Sequence, residues 1–130
     1  MNDHTLEDIV NKVKMFLNEA QHLMTCEGYY GVMSRAYYAM FHSMQALLYI
    51  RNIEAKSHKG AHNAFHKEFI STQIIAKEHG LALKRSFEKR QFSDYDYDEV
   101  SQEDAKESLD DAARFVEAVI QYLKENNHLQ

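Results

Sequence analysis

Proline is absent from the 130 residues, glycine occurs four times, cysteine once and tryptophan not at all. Sandwiches and barrels turn their short strands with proline and glycine, so their scarcity favours long uninterrupted helices. The lone Cys26 excludes an internal disulfide framework. The opening MNDHTLEDIV has neither the basic nor the apolar region of a secretory signal. No apolar run reaches the roughly 18 residues of a membrane span, because Arg35 and His42 interrupt the only candidate. These absences predict a soluble, cytoplasmic, all-helical protein, and the length predicts a single domain over residues 1–130.

What is present is charge, unevenly placed. The net charge of -5 argues against a broad nucleic-acid surface. Yet residues 51–90 carry nine Lys/Arg against four Asp/Glu, whereas residues 91–130 carry three against eleven. A basic centre beside an acidic C-terminal helix fits either intramolecular pairing or a ligand-binding patch.

Hydrophobic spacing divides the chain into four to five helices and suggests a bundle. Thr5 and Asp8 form a capping-box start, and Leu6, Ile9, Val13, Phe16, Leu17, Ala20 and Met24 continue it to about residue 25. From Tyr29 to Ile50, sixteen of 22 residues are apolar and fall on every side of the helical wheel, predicting a central helix covered all round. Ser57 is the expected cap of a third helix to about Ser71. A fourth is expected from Thr72 to about Phe92, bent or split at Gly80. Ser101 and Asp104 begin a last amphipathic helix.

The central segment SRAYYAMFH raises the chemical question. Arg35 and His42 are seven residues apart, so they return to one helix face. A guanidinium in an apolar helix needs a partner, an interface or a ligand, since desolvating it alone costs several kcal/mol or more. Arginine offers a fixed charge and a fork of donors suited to phosphate, and histidine titrates near neutrality; together they suit phosphodiester cleavage without a metal. The structural alternative is an ion pair for Arg35 and a satisfied core histidine at position 42.

His58, His62 and His66 recur at every fourth position, the spacing of a zinc or nickel row. Three histidines over more than two turns cannot bind one ion on a straight helix, and no carboxylate or cysteine is in register. The expectation is therefore no metal and no cofactor. Arg90, Asp94 and Tyr95 combine a cation, a carboxylate and a phenol at the end of the fourth helix, where Asp94 could equally lock the turn. No glycine-rich phosphate loop is present, so a nucleotide would have to be held by side chains.

The block GYYGVMSRAYYAMFHSMQALL, the later SHKG and the segment RQFSDY resemble the HEPN domain, the helical "higher eukaryotes and prokaryotes nucleotide-binding" family, across nearly the whole chain. The resemblance implies an all-α, up-and-down bundle of four to five helices, usually dimeric. It also implies one of two activities: a toxin-like, metal-independent ribonuclease, or a non-catalytic nucleotide-binding module partnering a minimal nucleotidyltransferase. Active members carry an arginine and a histidine with four to six residues between them, a pattern that Arg35 and His42 meet at its upper limit with six between. Arg35 would then stabilise the phosphate and His42 act as general base or acid at a cleft shared by two subunits. Active members often have a polar residue directly after the arginine, where this chain has Ala36. Tyr38, His58, Lys59, Arg90, Asp94 and Tyr95 are the candidate nucleotide- or RNA-binding residues.

Overall fold

The computed structural model describes residues 4–95, 97 and 99–130, with side chains at 93–95 outside the description. Its order is α1 (Leu6–Thr25), α2 (Tyr29–Ile50), α3 (His58–Phe65), a π-type turn at His66–Ile70, α4 (Lys77–Tyr95) and α5 (Gln102–Glu125). No strand occurs among the described residues, and the fold is all-α. No helix among them is long and apolar enough to cross a membrane.

Local chemistry places the ends. The Thr5 hydroxyl accepts from the Asp8 N–H, and the Asp8 carboxylate accepts from the Thr5 N–H, closing the predicted capping box. The Ser57 hydroxyl accepts from the Gly60 N–H and the Ser101 hydroxyl from the Asp104 N–H, capping α3 and α5. Between α1 and α2 only Cys26, Glu27 and Gly28 intervene; Glu27 takes the left-handed conformation at φ 63°, reversing the chain. The two helices therefore lie antiparallel and pack along their length, α5 covers another side of α2, and α3 and α4 close the rest.

Tyr37, Met40, Met44, Leu47 and Leu48 of α2 are fully buried with Phe65, Phe69, Leu83, Phe115 and Leu123 from the surrounding elements. Eleven residues of α2 are buried, which corrects the expectation of all-round coverage. Arg35, Tyr38, His42 and Gln45 remain partly open and Tyr49 is exposed. These five alternate at three- and four-residue steps, so they form one stripe along the helix.

Two boundaries differ from the sequence pattern. The third helix does not continue regularly to Ser71: the Ser71 N–H bonds the His66 carbonyl five residues back, at 2.8 Å. The fourth helix starts at Lys77 rather than Thr72, because Gln73 adopts φ 64° and the Ile75 N–H returns to the Phe69 carbonyl. Gly80 does not split α4, which runs through it without a break. A side chain there would come within 3.2 Å of Ile70, so glycine allows α4 to lie close to the π-type turn.

On the opposite edge, the basic α4 pairs with the acidic α5. Arg85 donates to Asp111 at 2.7 and 3.2 Å, Arg114 reaches the other Asp111 oxygen at 3.3 Å, and Lys89 contacts Glu107 and Asp104. These bonds hold Arg85 charged and draw the Glu107 carboxyl below its ordinary range, chiefly through Lys89.

Candidate functional site

α1 and α2 build the candidate site along their seam. On α1, Lys12, Phe16 and Glu19 occur at steps of four and three, the spacing of one helix face. Facing them, His42 lies parallel to the Phe16 ring, with centroids 5.5 Å apart and an interplanar angle of 1°. Tyr38 stacks on the same Phe16 at 5.5 Å. The imidazole is thus held flat against an apolar wall. Burial, then the charges of Lys12 and His58, lower its pKa below the ordinary value of 6.5. At neutral pH the ring is uncharged, the form that accepts a proton.

Arg35 is not the desolvated guanidinium that the sequence suggests. Its side chain is 43% exposed and its Nε donates to Glu19 at 3.3 Å. Long side chains keep their charged heads in water while their stems cover apolar neighbours, which is how an arginine fits this helix. Arg35 and His42 share the open stripe but are about 10 Å apart along the helix axis, at 1.5 Å per residue. No hydrogen bond or ion pair joins them among the described residues.

His42 forms part of the wall of a cleft of about 820 Å3, together with Lys12, Phe41, Gln45, Tyr49 and, from the loop before α3, Lys56. Two lysines thus stand at a neutral histidine. Asp8 and Glu54 also reach this cleft, so its field is mixed rather than uniformly positive.

The structure brings a second group of predicted residues beside His42. Arg90 donates to the Tyr38 hydroxyl at 2.8 Å and lies 4.8 Å from its ring centroid. His58 stacks on Phe41 at 4.3 Å and meets Tyr38 edge-on at 6.4 Å. Tyr38, His58 and Arg90, drawn from α2, α3 and α4, therefore belong with His42. Lys59 does not join them and faces a different groove with His62. Asp94 and Tyr95 have side chains outside the described residues.

Sequence reasoning missed the hub of this cluster, Tyr37. Its buried hydroxyl lies 2.8 Å from His58 Nδ1 and 3.0 Å from His62 Nε2. Having one proton, it donates to one ring and accepts an N–H from the other. Burial raises its pKa strongly, against the opposing charge of Arg90, and burial also lowers the pKa of both histidines. The histidine row thus meets a phenol: His58 and His62 converge on Tyr37, while His66, displaced by the π-type turn, lies 3.3 Å from the Ser71 hydroxyl. The signal available in the sequence was four-residue spacing opposite an apolar helix rich in tyrosine.

A helical bundle whose central helix presents an arginine and a histidine on one open stripe is the class of protein that fold and site define. The chain matches the HEPN domain family over residues 6–126, and it belongs to that family. It is 32% identical over 126 residues to "Putative toxin MJ0142" of Methanocaldococcus jannaschii, covering 96% of this chain and 86% of the relative. It is 33% identical over 109 residues to "Putative toxin MJ0605" of the same organism, covering 84% and 81%. A protein named only UPF0332, from Thermotoga maritima, is 33% identical over 104 residues, covering 79% of each chain.

Proposed function

We propose that this HEPN protein is a metal-independent ribonuclease of the toxin type, acting as a homodimer in the cytoplasm with Arg35 and His42 as its catalytic residues. The observation that carries this reading is His42 itself: an imidazole parallel to the Phe16 ring, its pKa lowered chiefly by burial, in the wall of a cleft that also contains Lys12 and Lys56. A ring packed against a neighbour has less orientational freedom to lose on proton transfer. The toxin names of two relatives agree with the proposal.

In the proposed reaction His42 takes the proton of an RNA 2′-hydroxyl, and the freed oxygen attacks the adjacent phosphorus. The bond from phosphorus to the 5′ oxygen breaks, that oxygen takes a proton from water in the open cleft, and the hydroxide left behind takes back the proton held by His42, restoring the neutral imidazole. The products are a 2′,3′-cyclic phosphate and a 5′-hydroxyl. Arg35 exchanges its exposed Glu19 partner for the phosphate, whose developing charge its fork of donors stabilises. Arg35, Tyr38, His42, Gln45 and Tyr49 have the three-and-four spacing of a helix-pairing seam, which favours a second copy completing the cleft.

Incubating the purified protein with RNA, in the presence of chelator, tests the reaction. Cyclic phosphate ends should form with the unaltered chain and be lost in His42→Ala and Arg35→Ala, while an all-2′-deoxy strand stays intact. The Arg35–Glu19 pair favours the second reading, a non-catalytic module partnering a minimal nucleotidyltransferase, because it engages the arginine away from His42. No cleavage by the folded, dimeric protein would decide for that reading.

A further inference from the structure

A second concavity lies on the other side of α3, away from His42. α3 contributes Lys59, His62 and Asn63, which fall at one-face spacing, the π-type turn contributes His66, and α4 contributes Lys77, Leu81, Lys84, Phe87 and Gln91. The π-type turn closes one end with Ile70, against which Gly80 lets α4 approach. The groove holds about 710 Å3, within the range of sites that bind small organic ligands.

Its chemistry is divided between rim and floor. Lys59, Lys77 and Lys84 are exposed, and none of them is held in an ion pair among the described residues. By contrast, Arg35, Arg51, Arg85 and Lys89 each have a carboxylate partner. Glu88 is the one carboxylate among the described lining residues. The floor is apolar and aromatic: Leu81 is 53% exposed, and the rings of Phe87 and His62 lie 5.0 Å apart. Asn63 and Gln91 add paired donors and acceptors at the edges.

We propose that the groove between α3 and α4 is a nucleoside-phosphate site, in which Lys59, Lys77 and Lys84 take phosphate oxygens and a base lies over Phe87 and Leu81. The combination of unpaired cations above a stackable ring is what single-stranded nucleic acid requires, and amide side chains suit base edges. An acidic peptide would use the lysines but leave the aromatic floor and the amides without a role. The site deepens the ribonuclease reading, since segment 55–62 borders both this groove and the His42 cleft, so a bound strand could continue from one to the other. It rests on that reading only for its use, not for its geometry.

Binding of a fluorescent 2′-O-methyl oligoribonucleotide, which cannot be cleaved through its 2′ oxygen, separates the two. The unaltered chain should bind it with an affinity that falls steeply with salt. Lys59→Glu/Lys84→Glu should weaken binding about tenfold or more and flatten the salt dependence, because each lost phosphate contact on a single strand removes about 0.7 from the logarithmic slope. Leu81→Asp, at an exposed position, should weaken binding without changing the far-ultraviolet spectrum. Free AMP is the second probe: effective competition would identify a mononucleotide as the natural source, and feeble competition a strand, both within the proposed class. Equal binding by the charge-reversed and unaltered chains, or equally effective displacement by polyglutamate, would overturn the site. Cleavage with unchanged groove binding in the double variant would sink this inference alone, and groove binding without cleavage would sink the ribonuclease reading alone.

Discussion

Arg35 and His42 have different surroundings, and their substitutions should behave accordingly. The Arg35–Glu19 pair is exposed on both sides, and such pairs contribute roughly 0–1 kcal/mol, so Arg35→Ala should leave the melting temperature within a few degrees of the original. If the proposed reaction holds, the same variant loses cleavage, giving a stable, inactive protein. Tyr37→Phe is the contrasting case. It removes a buried hydroxyl shared by two histidines and should cost about 1–3 kcal/mol in denaturant unfolding, because one or both ring nitrogens lose a partner in a half-buried setting.

The same histidines give the pH dependence a definite sign. His42, His58 and His62 all have pKa values lowered in the folded chain, burial being the largest cause each time. The unfolded chain protonates them near pH 6.5, while the folded chain resists until lower pH. Unfolded protein therefore binds more protons in that interval. The stability contributed by these rings is complete above about pH 6.5 and declines as pH falls below it. Urea midpoints between pH 8 and pH 5 should show the decline, and His62→Gln should make it shallower.

At the scale of elements, the ends of α1, α3 and α5 follow from single residues, whereas the docking of α4 depends on a clamp. Asp111 is 5% exposed and accepts from both Arg85 and Arg114. Removing it leaves arginines that can still reach water, so Asp111→Ala should cost about 2 kcal/mol, measured by thermal or urea unfolding, rather than the larger penalty of a stranded buried charge. Ser101→Ala should cost about 1 kcal/mol through the lost cap of α5. A far smaller effect at Asp111 would mean that apolar contacts between α4 and α5 suffice without the ion pairs.

For the whole molecule, the open stripe on α2 bears on assembly. Its five side chains leave a partly apolar surface beside α1, where Met15 is also 44% exposed. A homodimer closing over this face should scatter light at twice the chain mass at micromolar concentration, and Tyr38→Glu should shift it toward monomer by burying charge at the seam. A monomer in the unaltered protein would remove the second copy from the proposed site.

The sequence by itself determined the fold class and most helix ends. Capping side chains and hydrophobic periodicity act over a few residues, so Thr5, Ser57 and Ser101 are readable where they stand. It also placed Arg35 and His42 on one face, a consequence of helix geometry alone. Only the tertiary structure decided what those side chains meet. Arg90 reaches Tyr38 across 52 positions and His62 reaches Tyr37 across 25, contacts that no local pattern specifies. Nor could local periodicity foresee the π-type turn, where packing of Phe69 and Ile70 into the core accompanies the displacement of His66 from the histidine row. Helix formation is governed by neighbours in the chain, whereas the site is assembled by the close packing of four helices around α2, and that packing alone chose Phe16 for His42 and Glu19 for Arg35.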